Sequence, residues 1–462
     1  MNMSRRTALK STWPQQLVDL LGSVVTVDSD VMSAFSRDHA LLIEVGTALA
    51  LVRATCIDDV TATMRFASTH LVPVVTRGAG TGLAGGANAS DGCIVLSVAG
   101  MDRIIDIDTE RRIAVVQPGV INATLAGAAA ALGLYYAPDP SSRAISSIGG
   151  NIATNAGGAC CLKYGVTGDH VAALKVVLAD GSIINTGSTV RKNVAGLDLT
   201  SLMVGSEGML GVIVEATVRL SPAPLSPSTL VSYFDSLTDA AAAVVAITGL
   251  ADVSLIEIMD SVTVGAVEAM ARMGLDEQAA ALVLVQSDGV DRQAVIAQCE
   301  QMCVLHKGRD VFATNDADEG AMMLSARHVA LTALERLGSV LLDDVAVPVP
   351  QLPAIIERIQ SIGTAHSLTI ATFGHAGDGN LHPTIVFDSA DLNAVASARA
   401  AFDEIVTAAI AIGGTITGEH GVGSLKRNHL EAMVGRSEIE LMRRIKHAFD
   451  PDGLLNPGKC FA

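Results

Sequence analysis

Aromatic side chains are scarce in this chain: they make up 3% of its 462 residues, with a single tryptophan. Its core must be built from Ala, Val, Leu and Ile, and since half of all residues are hydrophobic, a sizeable core is within reach. Basic charge is short as well. Lys and Arg number 31 against 48 Asp and Glu, a net charge of −17. That excludes sequence-independent nucleic-acid binding, which needs a basic face, and favours a soluble protein. No apolar run approaches the roughly 20 residues of a membrane span. The Ala-rich stretch 240–248 is too short and reads as a buried helix. Paired cysteines are missing too. The seven present (Cys56, Cys93, Cys160, Cys161, Cys299, Cys303, Cys460) are odd in number and form no C-x-x-C motif. Cys299 and Cys303 read as buried free thiols on one helix face, and a reducing cytoplasm is the expected compartment. Ser4-Arg5-Arg6-Thr7-Ala8-Leu9-Lys10 looks like a twin-arginine export signal. The polar stretch Ser11-Thr12-Trp13-Pro14-Gln15-Gln16 stands where its apolar region belongs, so it is not read as one.

Two or three domains are expected of a chain this long. Residues 12–22 carry Leu17, Leu20 and Leu21 on one helical face, within an N-terminal helical segment, 1–37. From 38 to 223, short Val/Ile-rich strands (72–76, 93–97, 113–117, 173–178, 211–220) alternate with turn clusters, and helical patterns lie at 58–69 and 121–132. This is a glycine-rich α+β domain. Three prolines in Ser221-Pro222-Ala223-Pro224-Leu225-Ser226-Pro227 mark a boundary. Beyond it, over 224–415, strands at 254–259, 280–286, 340–347 and 367–373 alternate with helices at 237–250, 261–273, 291–305 and 351–363. Paired β-α-β units of this kind predict a ferredoxin-like α+β sheet covered by helices. A C-terminal segment, 416–462, holds one more helix at 434–449.

Two glycine-rich segments mark a cofactor site. The first, Arg77-Gly-Ala-Gly-Thr-Gly-Leu-Ala-Gly-Gly86, follows a strand and offers bare backbone N–H groups suited to a diphosphate. Gly80 to Gly85 also satisfies G-x-G-x-x-G, but turn residues 87–92 follow it rather than a helix, so a nicotinamide-binding Rossmann loop is rejected. The second, 138–158, alternates hydroxyls, amides and glycines with few bulky side chains, which suits a large, flat, polar cofactor. Gly205-Ser-Glu-Gly-Met-Leu-Gly-Val-Ile213 adds a third.

The most informative stretch is Gly374-His-Ala-Gly-Asp-Gly-Asn-Leu-His382, followed by Gly418-Glu419-His420-Gly421. Two imidazoles and a carboxylate suit a divalent metal such as zinc, and three ligands leave a coordination position open. His420 would then stand beside the metal as a general base. Spacing alone leaves a second reading open, in which these are polar side chains on turns bonded to backbone.

In order along the chain, these motifs resemble the flavin-dependent D-2-hydroxyacid dehydrogenases of the vanillyl-alcohol-oxidase superfamily, from about residue 38 to Asn456-Pro457-Gly458-Lys459. The resemblance implies a two-part FAD-binding domain plus a ferredoxin-like substrate domain. It implies that Arg77, Gly78, Ala79, Gly80, Thr81 and Gly82 hold the pyrophosphate. Pro138, Asp139, Ser142, Gly149, Gly150, Asn151, Thr154 and Asn456 would line FAD, and Ile213 would meet the adenine side through its main chain. His375, His382 and Glu419 would ligate the metal, with His420 as base. Arg327 would bind the substrate carboxylate, although a surface helix arginine is the plainer reading without the family.

The implied reaction oxidises a 2-hydroxy acid to a 2-oxo acid and passes electrons to an acceptor protein or quinone. The hydroxyglutarate branch carries a lysine and an asparagine where this chain has Leu342 and Thr384, so a monocarboxylate such as D-lactate or glycolate is favoured, with D-2-hydroxyglutarate kept open. A non-catalytic FAD subunit of a multi-subunit glycolate oxidase is a further alternative, and a homodimer is kept open. Several superfamily members tether flavin through a histidine in the first loop. No His or Cys lies between Arg77 and Gly86, so FAD is expected to be non-covalent. Denaturing the purified protein should release all of its yellow colour; flavin left on the chain would contradict this.

Overall fold

The computed structural model describes residues 13–190, 192–250 and 252–461. The twin-arginine-like stretch lies outside them. No helix among the described residues is long and apolar enough to cross a membrane. The chain folds into two compact units. The first comprises residues 13–156, 166–223 and 420–461; the second comprises Gly157–Gly165 and Pro224–Glu419.

The first unit holds two main sheets. In one, Ala50–Arg53 and Val74–Arg77 flank Ile94–Ser97 in parallel, and Val25–Thr26 adds an antiparallel edge. Parallel neighbours need a crossover. Helix Ile57–His70 supplies it between Ala50–Arg53 and Val74–Arg77, started by Asp59, whose carboxylate accepts the Thr55 and Cys56 N–H groups. The other sheet is antiparallel, in the order Ile104–Asp108, Ile113–Val116, Val212–Arg219, Val171–Val177, Ile183–Gly187. Val52, Met64, Ile94, Leu96, Val177 and Val214 belong to one apolar cluster of aliphatic residues. Burying each such side chain contributes roughly 1.5–3 kcal/mol.

The C-terminal segment completes this unit. Helix Arg436–Phe449 carries Lys446, whose ammonium donates to Met209 O and Leu455 O at 2.7 Å and pairs with Asp450. Leu455 then bridges in parallel to Val74, and Asn456 N–H donates to Val74 O at 2.8 Å.

The second unit is built on an antiparallel sheet larger than a ferredoxin-like core. Its order is Arg309–Thr314, Ser228–Phe234, Ala281–Ser287, Val253–Asp260, Thr369–His375, Asn380–Phe387, Ser339–Leu342, with Val345–Ala346 also paired to Asn380–Phe387. Val253–Asp260 and Ala281–Ser287 are buried at every position, so they read as near-continuous apolar runs. Helices Ser261–Ala271, Ala317–His328 and Ala330–Glu335 contribute Val264, Val267, Ala326, Ala330 and Leu334 to a cluster with Met259 and Phe373. Helix Leu237–Ile247 buries Ala240, Ala241, Ala243 and Val244, and helix Arg292–Leu305 buries the free thiols of Cys299 and Cys303.

Several details differ from the sequence expectation: strands Ser228–Phe234 and Arg309–Thr314 and helix Leu392–Ala411 lie outside the expected elements. The single strand over 340–347 is broken at Asp343-Asp344, both fully buried. Residues 380–387, which turn chemistry hid, form a central strand.

Candidate functional site

Side chains at directly paired positions of an antiparallel sheet project from the same face. In the second unit Glu257 pairs with His375, and Phe373 with His382. Residues two apart on one strand share a face, so Glu257, Phe373, His375 and His382 all stand on one side. The hairpin between the last two strands turns through Ala376–Asp378 and Gly379. This brings the imidazole centroids of His375 and His382 to 5.3 Å at an angle of 88°.

Glu419 joins them. Its Oε1 lies 3.4 Å from His375 Nε2 and 3.3 Å from His382 Nε2. One ligand atom from each of the three residues falls within 4.8 Å of the others. The three residues predicted as ligands are thus brought together. Gly157 makes room for the carboxylate, since a Cβ there would stand 2.8 Å from Glu419 Oε2.

Two buried carboxylates support this group from behind. Glu257, 1% exposed, accepts from His375 Nδ1 at 2.5 Å with one oxygen and from Arg327 Nε at 2.5 Å with the other. Asp344 places the other half: Oδ2 accepts Thr417 Oγ1 at 2.6 Å and the N–H groups of Gly418 and Glu419 at 2.9 and 3.0 Å. Asp344 Oδ1 accepts Asn380 Nδ2 at 2.8 Å and lies 3.8 Å from His382 Nδ1.

The charges fit a cation. Three carboxylates (Glu257, Asp344, Glu419) face one guanidinium and two imidazoles. Burial alone disfavours the charged form of His375, yet Glu257 and Glu419 outweigh it and hold the imidazole pKa up at about 10. Burial likewise works against the Glu419 anion, but His375 and His382 hold it well below the usual carboxylate range. His375 Nε2 is buried 3.4 Å from Glu419 Oε1 and makes no well-formed hydrogen bond, as an atom that shares a ligand with that carboxylate would. Two imidazole nitrogens and a carboxylate oxygen could therefore hold a divalent metal here.

Arg327 is not a surface arginine. It is 4% exposed, stands on helix Ala317–His328, and carries its guanidinium 4.6 Å from the centroid of the Phe373 ring. Glu257 engages Nε, while Nη2 is buried without a hydrogen bond.

The glycine segments belong to the first unit. Strand Val74–Arg77 runs into the loop at Gly78, and residues 78–83 remain part-exposed. Arg77 itself turns inward. It is buried, donates to Arg37 O at 2.7 Å and fills the space beneath Gly80, where a Cβ would lie 2.0 Å from Nη2. Gly80 also has φ +80°, which glycine adopts freely. Ser147 Oγ accepts the N–H groups of Ala79 and Gly150 at 3.3 and 3.4 Å, so the two segments meet. Gly149, Gly150, Asn151 and Thr154 sit on helix Ile148–Thr154, for which the sequence reading gave no secondary structure. Asn122 Nδ2 ties Pro138 O to Asn151 Oδ1, each at 3.1 Å. Asp139 and Ser142 lie in the part-exposed loop before that helix, and Ile213, second in strand Val212–Arg219, pairs with Val176. Asn456 donates to Gly86 O at 3.0 Å and Glu207 O at 2.6 Å.

Thr76 Oγ1, Asn122 Oδ1, Tyr136 Oη, Ser146 Oγ and Asn456 Oδ1 are buried along these segments without a hydrogen bond. A polar cofactor would supply their partners, so the residues fit one.

His420 follows Glu419 directly, where the second unit gives way to the first. The backbone just beyond it is held by Glu207, whose two oxygens accept the Val422 and Gly423 N–H groups at 2.8 Å. Glu207, Glu257 and Asp344 were not singled out in the sequence. The signal was there: a lone acid within the apolar strand 254–259, an Asp pair breaking another, and an acid between Gly205 and Gly208.

Known proteins match at both halves of the chain. Residues 224–460 match the family described as FAD linked oxidases, C-terminal domain, and residues 48–187 match the FAD binding domain family. Glycolate oxidase subunit GlcD of Bacillus subtilis (strain 168) is 42% identical over 412 residues, 88% of this chain and 87% of that protein. D-lactate dehydrogenase of Anaerostipes hadrus is 33% identical over 453 residues, 95% of this chain and 94% of that protein. In fold the chain is similar to p-cresol methylhydroxylase, with a TM-score of 0.82 at 17% identity, covering 98% of this chain and 97% of that one.

Titrating metal-stripped protein with cobalt(II) should give the visible absorption of a His/carboxylate site. His382→Ala should weaken binding by more than the roughly 10–100-fold carried by outer partners of a metal site; unchanged cobalt affinity would exclude His382 as a ligand.

Proposed function

The chain belongs to the FAD-linked oxidases, and from that premise we propose that it oxidises a D-2-hydroxy acid of the D-lactate or glycolate kind to the 2-oxo acid. The observation that carries the reading is the convergence of His375, His382 and Glu419, with His420 next in the chain.

FAD, bound without a covalent link, supplies the acceptor for the hydride that leaves Cα. The backbone of Gly78–Gly82 holds its pyrophosphate while Arg77 supports the loop from inside, and Pro138, Asp139, Ser142, Gly149, Gly150, Asn151, Thr154, Ile213 and Asn456 line the rest. A divalent cation held by His375, His382 and Glu419, with zinc the ion that donor set suits, supplies Lewis acidity toward the substrate oxygens.

The chain's own side chains do the remainder. Arg327 directs its guanidinium at the substrate carboxylate, using donors that Glu257 leaves open. His420 takes the hydroxyl proton on its imidazole as general base. Loss of hydride and proton together converts the alcohol to the carbonyl of the 2-oxo acid, and the reduced enzyme passes its electrons to a protein or quinone rather than to a nicotinamide.

Sheet register favours a monocarboxylate. Leu342 pairs directly with Thr384, and Thr384 Oγ1, fully buried, already donates to His382 O at 3.1 Å. Neither side chain brings the positive charge a second carboxylate needs. D-Lactate or glycolate should therefore bleach the flavin faster than D-2-hydroxyglutarate; the reverse order in a stopped-flow panel would overturn the preference.

His420→Ala tests the base. FAD and metal content should persist while flavin reduction slows by about 10²–10⁴-fold, the usual worth of a positioned base. An unchanged rate would refute the role.

A further inference from the structure

Arginine meets a buried carboxylate most strongly as a fork, with two parallel N–H···O bonds to both oxygens. Glu257 does not use that geometry. It gives Oε2 to Arg327 Nε and Oε1 to His375 Nδ1, each at 2.5 Å, and both of its partners are themselves buried. Each partner is left with a buried nitrogen that makes no well-formed hydrogen bond: Nη2 of Arg327 and Nε2 of His375. An unfilled buried polar atom costs roughly 1–3 kcal/mol. Two of them on the two partners of one carboxylate point to ligands at both.

We infer that Glu257 is a positioning residue that couples acid recognition to metal binding. One rigid carboxylate, fixed on a central strand, sets the plane of the His375 ring and the direction of the Arg327 fork together. The spacing between the group that takes the substrate carboxylate and the group that takes the metal is therefore set by a single side chain. Phe373, on the same face of the sheet, backs the guanidinium and limits its swing. The inference rests on the functional reading of Arg327 and of the metal ligands given above.

Four variants test it. Glu257→Gln keeps size but can accept at only one oxygen. Zinc affinity, measured by competition with a chelating dye, should fall about 10–100-fold. KM for D-lactate and glycolate should rise about tenfold or more, with FAD content unchanged. Glu257→Asp restores the charge but is too short to span both partners, so it should recover at most one of the two properties. A Glu257→Asp enzyme equal to the parent in both would show that charge alone matters and would overturn positioning. The double variant Glu257→Gln/Arg327→Met removes the stranded arginine charge, so it folds without a buried unpaired cation. It should bind zinc as weakly as Glu257→Gln; zinc affinity at the parental level would overturn the His375 half. Arg327→Lys separates this inference from the reading beneath it. If Arg327→Lys leaves KM unchanged, the assignment of Arg327 to the acid fails and takes the coupling with it. If Arg327→Lys raises KM while Glu257→Gln alters neither zinc affinity nor KM, Glu257 alone is misassigned.

Discussion

The register of three antiparallel strands governs the chemistry of the second unit. Because Glu257 pairs with His375 and Phe373 with His382, the two imidazoles, the carboxylate that orients one of them and the ring beneath Arg327 share a single face. A slip of one residue would send each to the opposite side. In strands buried throughout, such as Val253–Asp260, the few polar positions favour that register, since the observed pairing sets Glu257 opposite His375. Aliphatic packing and polar function are therefore specified by the same pairing. The cost is a set of buried charges, tolerated because Glu257, Asp344 and Glu419 are each satisfied by cationic or N–H partners.

The first unit uses a different strategy. Its glycine-rich segments expose backbone rather than side chains, and they are held by short polar links: Ser147 across the two glycine segments, Asn122 between Pro138 and Asn151, Asn456 between Gly86 and Glu207. Close approach of a large ligand requires bare main chain, and bare main chain needs such supports to stay in place. Glu207 is buried with them. Desolvation raises its pKa, yet two N–H donors from Val422 and Gly423 keep it engaged.

Much of this was legible in the sequence because glycine and histidine spacing are local signals. The strands and helices with regular apolar periodicity fell close to their expected positions. The losses have specific causes. Strand Asn380–Phe387 hid behind Gly379, Asn380 and Pro383, which ordinarily mark turns. Arg327 looked like a surface arginine because the anion that buries it, Glu257, lies 70 residues away in the chain. Arg77 looked like a phosphate ligand, but its guanidinium finds Arg37 O, a carbonyl that no local pattern points to. Asp344 acts through backbone N–H groups of residues 418 and 419, which lie 74 and 75 residues away, so no local pattern joins them.

The divided first unit has a consequence for biogenesis. Most of the second unit is one continuous stretch, and its sheet draws every strand from residues 228–387. The first unit instead waits for the bridge from Leu455 to Val74 and for the backbone donors that engage Glu207. On a ribosome, where chains emerge from the N-terminus onward, the inserted sheet can close early. The first unit is completed only when residues 420–461 join its earlier segments.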